Sequence, residues 1–215
     1  MPGRKNRRIG IFGGTFDPPH IGHLAVADAA VRQLHLDALY LVPAYLPPHK
    51  LRHAFSSSPR DRERMTRLAL HGIPRVKIST IELRRRGISY TVDTLRAFRK
   101  KFRSAVLFLI IGEDTLDQFS SWRKPEEILT LADIVVYRRT GCSPKSPKGK
   151  IEPIVLHGRR INVSSTEIRN RIASGKPAGS FLPGAVDAYI RKHRLYTTTM
   201  DMECEGLHDE IHRPR

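Results

Sequence analysis

Cysteine is scarce in this chain: two of its 215 residues, Cys142 and Cys204, both in polar stretches and neither in a paired motif. That excludes a disulfide-stapled scaffold and the C-x-x-C pairs of a structural zinc module, so free thiols are expected. Long apolar runs are missing too. The longest is the seven-residue "AVLFLII" from Ala105 to Ile111, far short of a bilayer-spanning helix. The basic start (Arg4, Lys5, Arg7, Arg8) leads into a strand and a Gly-Gly turn, without the apolar stretch and cleavage site of a secretory leader. A cytoplasmic protein with no membrane partner is expected. No internal repeat is visible.

Acidic residues are outnumbered, 21 against 38 Lys and Arg, which leaves a formal charge of +17, the usual footprint of polyanion binding. The excess is spread over the N-terminus, "RRR" at Arg84 to Arg86, "RKKFR" from Arg99 to Arg103 and "PKSPKGK" from Pro144 to Lys150. No zinc finger, RNP motif or heptad array accompanies it. A run such as Arg99 to Arg103 suits the solvated end of a helix. Phosphate-bearing small substrates account for a basic cleft without nucleic acid, although a basic nucleic-acid-binding module is the non-enzymatic alternative. Nothing in the sequence sets the oligomeric state.

The hydrophobic fraction of 40% is enough for one substantial core. Apolar strand candidates alternate with amphipathic helix candidates. "RRIGIF" is followed by a helix with Ile21, Leu24, Val31 and Leu34 at helical spacing, then by "ALYLVPA" (38–44) and a helix starting at Ser58 or Pro59. "VKIST" (76–80), a helix through "TVDTLRAFRKKF", "AVLFLII", a helix through "PEEILTL" and "DIVVYRR" complete the series. This order predicts an α/β fold, a Rossmann-like, doubly wound, mostly parallel sheet with helices on both faces and a small C-terminal helical region. Residues 1–196 read as one domain, with the core over about 8–160 and the helical region over about 161–196. Thr140 to Pro153 reads as a surface loop and 197–215 as a frayed tail.

Ligands of such sheets bind beyond the carboxyl ends of the strands, where "GGTFDPPHIGH" (13–23) lies. A helix starting near His20 turns unsatisfied N–H groups and a partial positive charge toward this turn, while Gly13 and Gly14 let the backbone approach a bulky anion. His20 and His23, three residues apart, project on one face, with Gly22 leaving room between them. Ordinary turn mechanics accounts for the glycines but does not require two histidines. The reading is a phosphate cradle.

Near the C-terminus, "VSSTEIRNRI" has Ser164 and Glu167 at capping-box spacing. A cap leaves Ser165, Thr166 and Arg169 unexplained. Together they offer hydroxyls, helix N–H groups and a guanidinium suited to nucleotide phosphates.

The first motif, with His20, Ile21, Gly22 and His23, resembles the His-x-Gly-His nucleotidyltransferase superfamily, and the second resembles its Ser-Ser-Thr-x-x-Arg signature, which binds the triphosphate of ATP. "VPAYLPPHK" (42–50), "ELRRRGISYTVDTL" (82–95), "LIIGEDTLDQFSSWRKPEEIL" (109–129) and "FLPGAVDAYIRKHRLY" (181–196) resemble, in order and spacing, bacterial nicotinate-nucleotide adenylyltransferase. The resemblance spans about residues 8–196. It implies transfer of AMP from ATP to nicotinic acid mononucleotide, giving deamido-NAD and pyrophosphate, with magnesium carried in on ATP and no metal site of the protein's own. Nicotinamide mononucleotide and phosphopantetheine are the alternative acceptors.

The same resemblance assigns Gly13, Gly14, Thr15, Phe16, His20, Gly22, His23, Asp114, Ser164, Ser165, Thr166 and Arg169 to ATP, with His20, His23 and Arg169 catalytic. It assigns Lys50, Tyr90, Thr91, Trp122 and Arg123 to the acceptor. Each acceptor residue has a plainer use. Trp122 could pack in the core, Thr91 could cap the following helix, and Lys50 could be a solvated loop lysine. Arg123 stands where relatives commonly carry an aromatic residue or histidine, and Glu113 where a small residue is common.

Overall fold

The structure is a computed structural model and describes residues 6–48, 57–139, 152–158 and 161–197, with the side chains of Asp114 and Arg139 outside the description. Cys142, Cys204, Lys50, the 140–151 stretch and the tail beyond Thr197 lie outside the described residues.

Six parallel strands form one sheet in the order β3-β2-β1-β4-β5-β6. They are β1 (Arg8–Gly14), β2 (Ala38–Pro43), β3 (Val76–Ile78), β4 (Val106–Gly112), β5 (Asp133–Arg139) and β6 (Ile154–Gly158). The period of two explains how both faces are filled. Ile9 and Ile11 of β1, with Leu107, Leu109 and Ile111 of β4, enter one core. Phe12, Phe108 and Ile110 enter the opposite one.

Helix α1 (Ile21–Gln33) covers the second core through Ala27, Ala29 and Ala30. The first core is covered by α4 (Thr91–Lys101), through Val92, Leu95 and Phe98, and by α6 (Pro125–Leu131), through Ile128. A third cluster joins α2 (Pro59–Leu70), α7 (Ser165–Ala173) and α8 (Gly184–Lys192) around Met65, Ile168, Val186 and Ile190. The doubly wound parallel sheet expected from the alternation is what the chain adopts. Ser58 caps α2 by accepting the Asp61 N–H at 3.1 Å, with Pro59 in the first turn.

Three local features differ from expectation. β6 was not anticipated: only Leu156 of it is fully buried, and it is an edge strand following a Pro-, Gly- and Lys-rich stretch. The five-residue helix α3 (Ile81–Arg85) is too short to show a period. Thr91 does not cap α4; Tyr90 holds that position with extended backbone, and Thr91 is the first helical residue.

The strand order reverses direction between β1 and β4. Phe12 pairs with Ile110, so the turn after Gly14 lies beside the short helix α5 (Glu113–Leu116) that follows β4. This is the crevice in which such sheets hold ligands.

Candidate active site

The site begins where β1 ends. After Gly14 the chain turns, and His20 takes the N-cap of α1 in extended conformation. Its backbone N–H donates to Nδ1 of His23 at 3.1 Å. Accepting that bond leaves Nδ1 without a proton, so His23 carries its hydrogen on Nε2, as a donor. Burial holds its pKa well below the ordinary histidine value, and the neighbouring His20 adds to the effect. His23 is therefore a neutral imidazole at physiological pH.

The two rings lie 3.8 Å apart at 33°, and Phe16 meets His23 edge-on at 5.0 Å. Two glycines make this packing possible. A Cβ on Gly22 would stand 3.0 Å from the His20 ring and 3.2 Å from Val163, and one on Gly14 would stand 2.9 Å from the Phe16 ring. Gly22 thus leaves room for His20 and for the loop ahead of α7, more than for a gap between the histidines. Phe16 is fully buried, so its side chain supports His23 from below. Gly13, by contrast, is exposed, and a Cβ there would meet nothing within 4 Å. Thr15 lies in the turn itself, its carbonyl held as described below.

The C-terminal motif folds onto this turn. Ser164 caps α7 by accepting the Glu167 N–H at 3.1 Å. Ser165 donates its hydroxyl to the Pro18 carbonyl at 2.9 Å, and Arg169 donates from Nη1 to the Asp17 carbonyl at 2.8 Å. Arg169 Nη2 reaches Thr166 Oγ1 at 3.2 Å. The N-termini of α1 and α7 are thereby drawn to the same side of the turn, together with two imidazoles and a guanidinium. Such a set offers donors to phosphate oxygens and fixes where they point.

Four residues of this region went unpredicted. Arg62 of α2 is fully buried and donates to the carbonyls of Thr15 (3.1 Å), Ala44 (2.5 Å) and Tyr45 (3.2 Å). Burial lowers its pKa, and the Asp17 carboxylate opposes that shift. Asp17 in turn accepts from Ser57 Oγ at 2.5 Å and from the Tyr196 hydroxyl at 2.7 Å. Burial, reinforced by Asp17, pushes the Tyr196 phenol upward, so it remains a donor. Arg62 could have been found, because it shares a helix face with Met65, Thr66 and Ala69 in "PRDRERMTRLAL", and an arginine on an apolar face calls for buried partners. Tyr196 follows the last helix and carries no periodic mark.

On the other flank, Tyr90 holds the N-cap position of α4 without a side-chain capping bond, and the Arg123 guanidinium lies 4.6 Å above its ring. Arg123 also approaches Asp93 at 3.8 Å. Trp122 is partly buried against the first core, with its ring 5.4 Å from Phe119. Tyr90, Thr91 and Arg123 are thus brought together, and Trp122 rests one side on the first core while staying partly exposed. Asp114 is placed in α5 by its backbone alone. Glu113 forms an ion pair with Arg138 of β5 at 3.4 Å. Among the described residues no group of three or more His, Cys, Asp or Glu is arranged to hold a metal ion, and no helix is long and apolar enough to cross a membrane.

Comparison with known proteins converges on one group. Residues 11–171 match the cytidylyltransferase-like family. A Bacillus subtilis (strain 168) protein named nicotinate-nucleotide adenylyltransferase is 36% identical over 190 residues, covering 88% of this chain and 98% of the relative. A Shouchella clausii (strain KSM-K16) protein, named "Probable nicotinate-nucleotide adenylyltransferase", is 40% identical over 191 residues, covering 88% and 97%. Among solved structures, Plasmodium falciparum nicotinic acid mononucleotide adenylyltransferase complexed with NaAD superposes with a TM-score of 0.75 at 18% identity, covering 89% of this chain and 98% of that one.

Proposed function

This chain belongs to the nicotinate-nucleotide adenylyltransferases of the cytidylyltransferase-like family, and from that membership we infer that it transfers AMP from ATP to nicotinic acid mononucleotide, releasing pyrophosphate and deamido-NAD. The observation that carries this reading to particular residues is the junction of the two motifs. Ser165 and Arg169 are bonded to the backbone of the turn that leads into His20 and His23.

In the mechanism proposed, the 5′-phosphate of the mononucleotide attacks the α-phosphorus of ATP in line, forming a P–O bond as the bond to the pyrophosphate oxygen breaks. The nucleophile is already anionic at neutral pH and no protein base is needed. The protein's work is to align two polyanions and stabilise the charge that develops on the leaving group. His23, neutral and donating from Nε2, contributes a hydrogen bond whose direction His20 N–H fixes. His20, Arg169 and the N–H groups of α1 and α7 supply the remaining donors to the triphosphate, with Gly13, Gly14, Thr15, Gly22, Ser164, Ser165, Thr166 and Asp114 lining its path. Phe16 acts through His23. Magnesium is carried in on the nucleotide as part of the substrate. Tyr90, Thr91, Trp122, Arg123 and Lys50 border the acceptor, and residues 1–196 act as one domain.

The test is pyrophosphate release from ATP with nicotinic acid mononucleotide, nicotinamide mononucleotide or phosphopantetheine as acceptor. Release strongest with the acid is expected. Release only with another acceptor, or ATP-insensitive capture of nucleic acid with no release, would overturn the assignment.

A further inference from the structure

Helix α3 carries a carboxylate that the reaction does not use. Glu82 is 6% exposed, on a helix whose other charged residues are exposed. Its Oε1 accepts the Thr94 hydroxyl at 2.6 Å, and its side chain is also hydrogen-bonded to Ser89. Each hydroxyl is engaged on its other side. Ser89 Oγ accepts the Tyr45 N–H at 2.9 Å, and Thr94 Oγ1 lies 3.5 Å from Arg85 Nη2. Two N–H donors therefore orient two hydroxyls, and both hydroxyls must deliver their protons to Glu82. Only an acceptor with several lone pairs and no hydrogen of its own satisfies both.

The elements tied together in this way are those that border the acceptor. Ser89 directly precedes Tyr90 and Thr91. Its N–H donates to the Leu46 carbonyl at 2.8 Å, and Leu46 pairs with Ile88 in an isolated bridge. Tyr45 and Leu46 follow closely on the end of β2 at Pro43. Thr94 lies in the first turns of α4, beyond Thr91. One buried carboxylate thus fixes the loop after β2 and the entrance to α4 relative to each other. We propose that Glu82 is the positioning residue of the acceptor pocket, holding the Tyr45–Leu46 and Ser89–Thr91 segments at the spacing that receives the mononucleotide.

This rests on the adenylyltransferase reading above. Burial pushes the Glu82 carboxyl upward, while Thr94, Ser89 and then Arg85 pull it back, in keeping with a group that depends on all of its partners. Ser165 and Arg169 hold the ATP-binding turn independently of this network, while Arg62 bonds both that turn, through Thr15, and the Tyr45 carbonyl. The consequence is an asymmetry between substrates that a general stabilising role would not produce.

Glu82→Gln keeps the shape but turns an NH2 toward one of the two hydroxyl bonds. It is expected to raise the KM for nicotinic acid mononucleotide about tenfold and to leave the KM for ATP within about twofold of wild type. Ser89→Ala, which removes one arm of the network, should show the same asymmetry, and adding it to Glu82→Gln should raise the acceptor KM little further. If Glu82→Gln does not fold, Ser89→Ala alone carries the test. Equal rises in both KM values, an unchanged acceptor KM, or a loss confined to kcat would overturn the proposal. Wild-type enzyme assayed in parallel separates the two claims: failure of wild type to form the dinucleotide overturns the reaction, whereas an active wild type with unaltered acceptor KM in the variants overturns the role of Glu82 alone.

Discussion

Ser165 donates its hydroxyl to the carbonyl oxygen of Pro18 at 2.9 Å, across 147 residues of sequence. With the neighbouring bond from Arg169 to Asp17 at 2.8 Å, it locks the start of α7 against the turn that starts α1. The starts of the two helices are then held on one side of the turn, with the direction of the Arg169 guanidinium set by these bonds. That preorganisation is the source of the predictions that follow.

Arg169→Lys keeps the charge and loses the planar fork. A single ammonium cannot reproduce bonds to both the Asp17 carbonyl and Thr166 Oγ1 while facing a phosphate. The KM for ATP should rise about tenfold, with that for the mononucleotide within about twofold. Steady-state kinetics with each substrate varied in turn would check this; equal changes in both would place Arg169 outside the triphosphate site.

His23→Ala removes a donor whose hydrogen is fixed on Nε2 by the His20 backbone. Turnover should fall by about 10² or more, as for other preorganised donors to a developing anion. The far-UV spectrum and melting temperature of the variant should stay close to wild type. A folded variant with unchanged turnover would remove His23 from the chemistry.

The depressed pKa of His23 also makes stability depend on pH. An unfolded histidine takes up its proton near pH 6.5, but the folded chain keeps His23 neutral below that point. The unfolded state then binds the additional proton, so stability drops as pH falls below about 6.5 and does not change on this account above it. The expected slope is at most about 1.4 kcal/mol per pH unit. Urea unfolding of wild type and His23→Gln at pH 7, 6 and 5 should show the steeper fall in wild type, and parallel curves would mean that His23 titrates normally in the fold.

Arg62→Met should destabilise the chain by about 3 kcal/mol, because it strips the donor from the carbonyls of Thr15, Ala44 and Tyr45 and leaves the Asp17 carboxylate without its buried cation. The denaturation midpoint at constant m-value measures this. A loss below about 1 kcal/mol would indicate that those groups find other partners.

Much of this architecture was legible in the residues. The alternation of apolar runs with helical stripes specified five of the six strands, because β1, β2 and β4 are buried on both faces and read as continuous apolar segments. The juxtaposition of His20 and His23 was legible because two histidines beside glycine are not required by a turn, and the Ser164 cap because its spacing to Glu167 is a local signal. The network beneath was not. Asp17, Ser57, Arg62, Glu82 and Tyr196 act through bonds that reach as far as 179 positions along the sequence, and no local pattern encodes such pairings. β6 escaped because an edge strand with one fully buried residue has neither an apolar run nor a strict alternation. Trp122 shows the converse, since an exposed-looking sequence context, "SSWRK", surrounds a side chain packed on the core.

The central claim is direct transfer of AMP to nicotinic acid mononucleotide, with the protein positioning and polarising two anions. It is tested most directly by supplying ATP made chiral at the α-phosphorus, with sulfur in place of one non-bridging oxygen, and determining the configuration of the dinucleotide formed. A single in-line displacement predicts a deamido-NAD analogue with inverted configuration at phosphorus. Retention would require a covalent adenylyl-enzyme and two displacements, and would contradict the account, as would failure to form the dinucleotide from the acid mononucleotide at all.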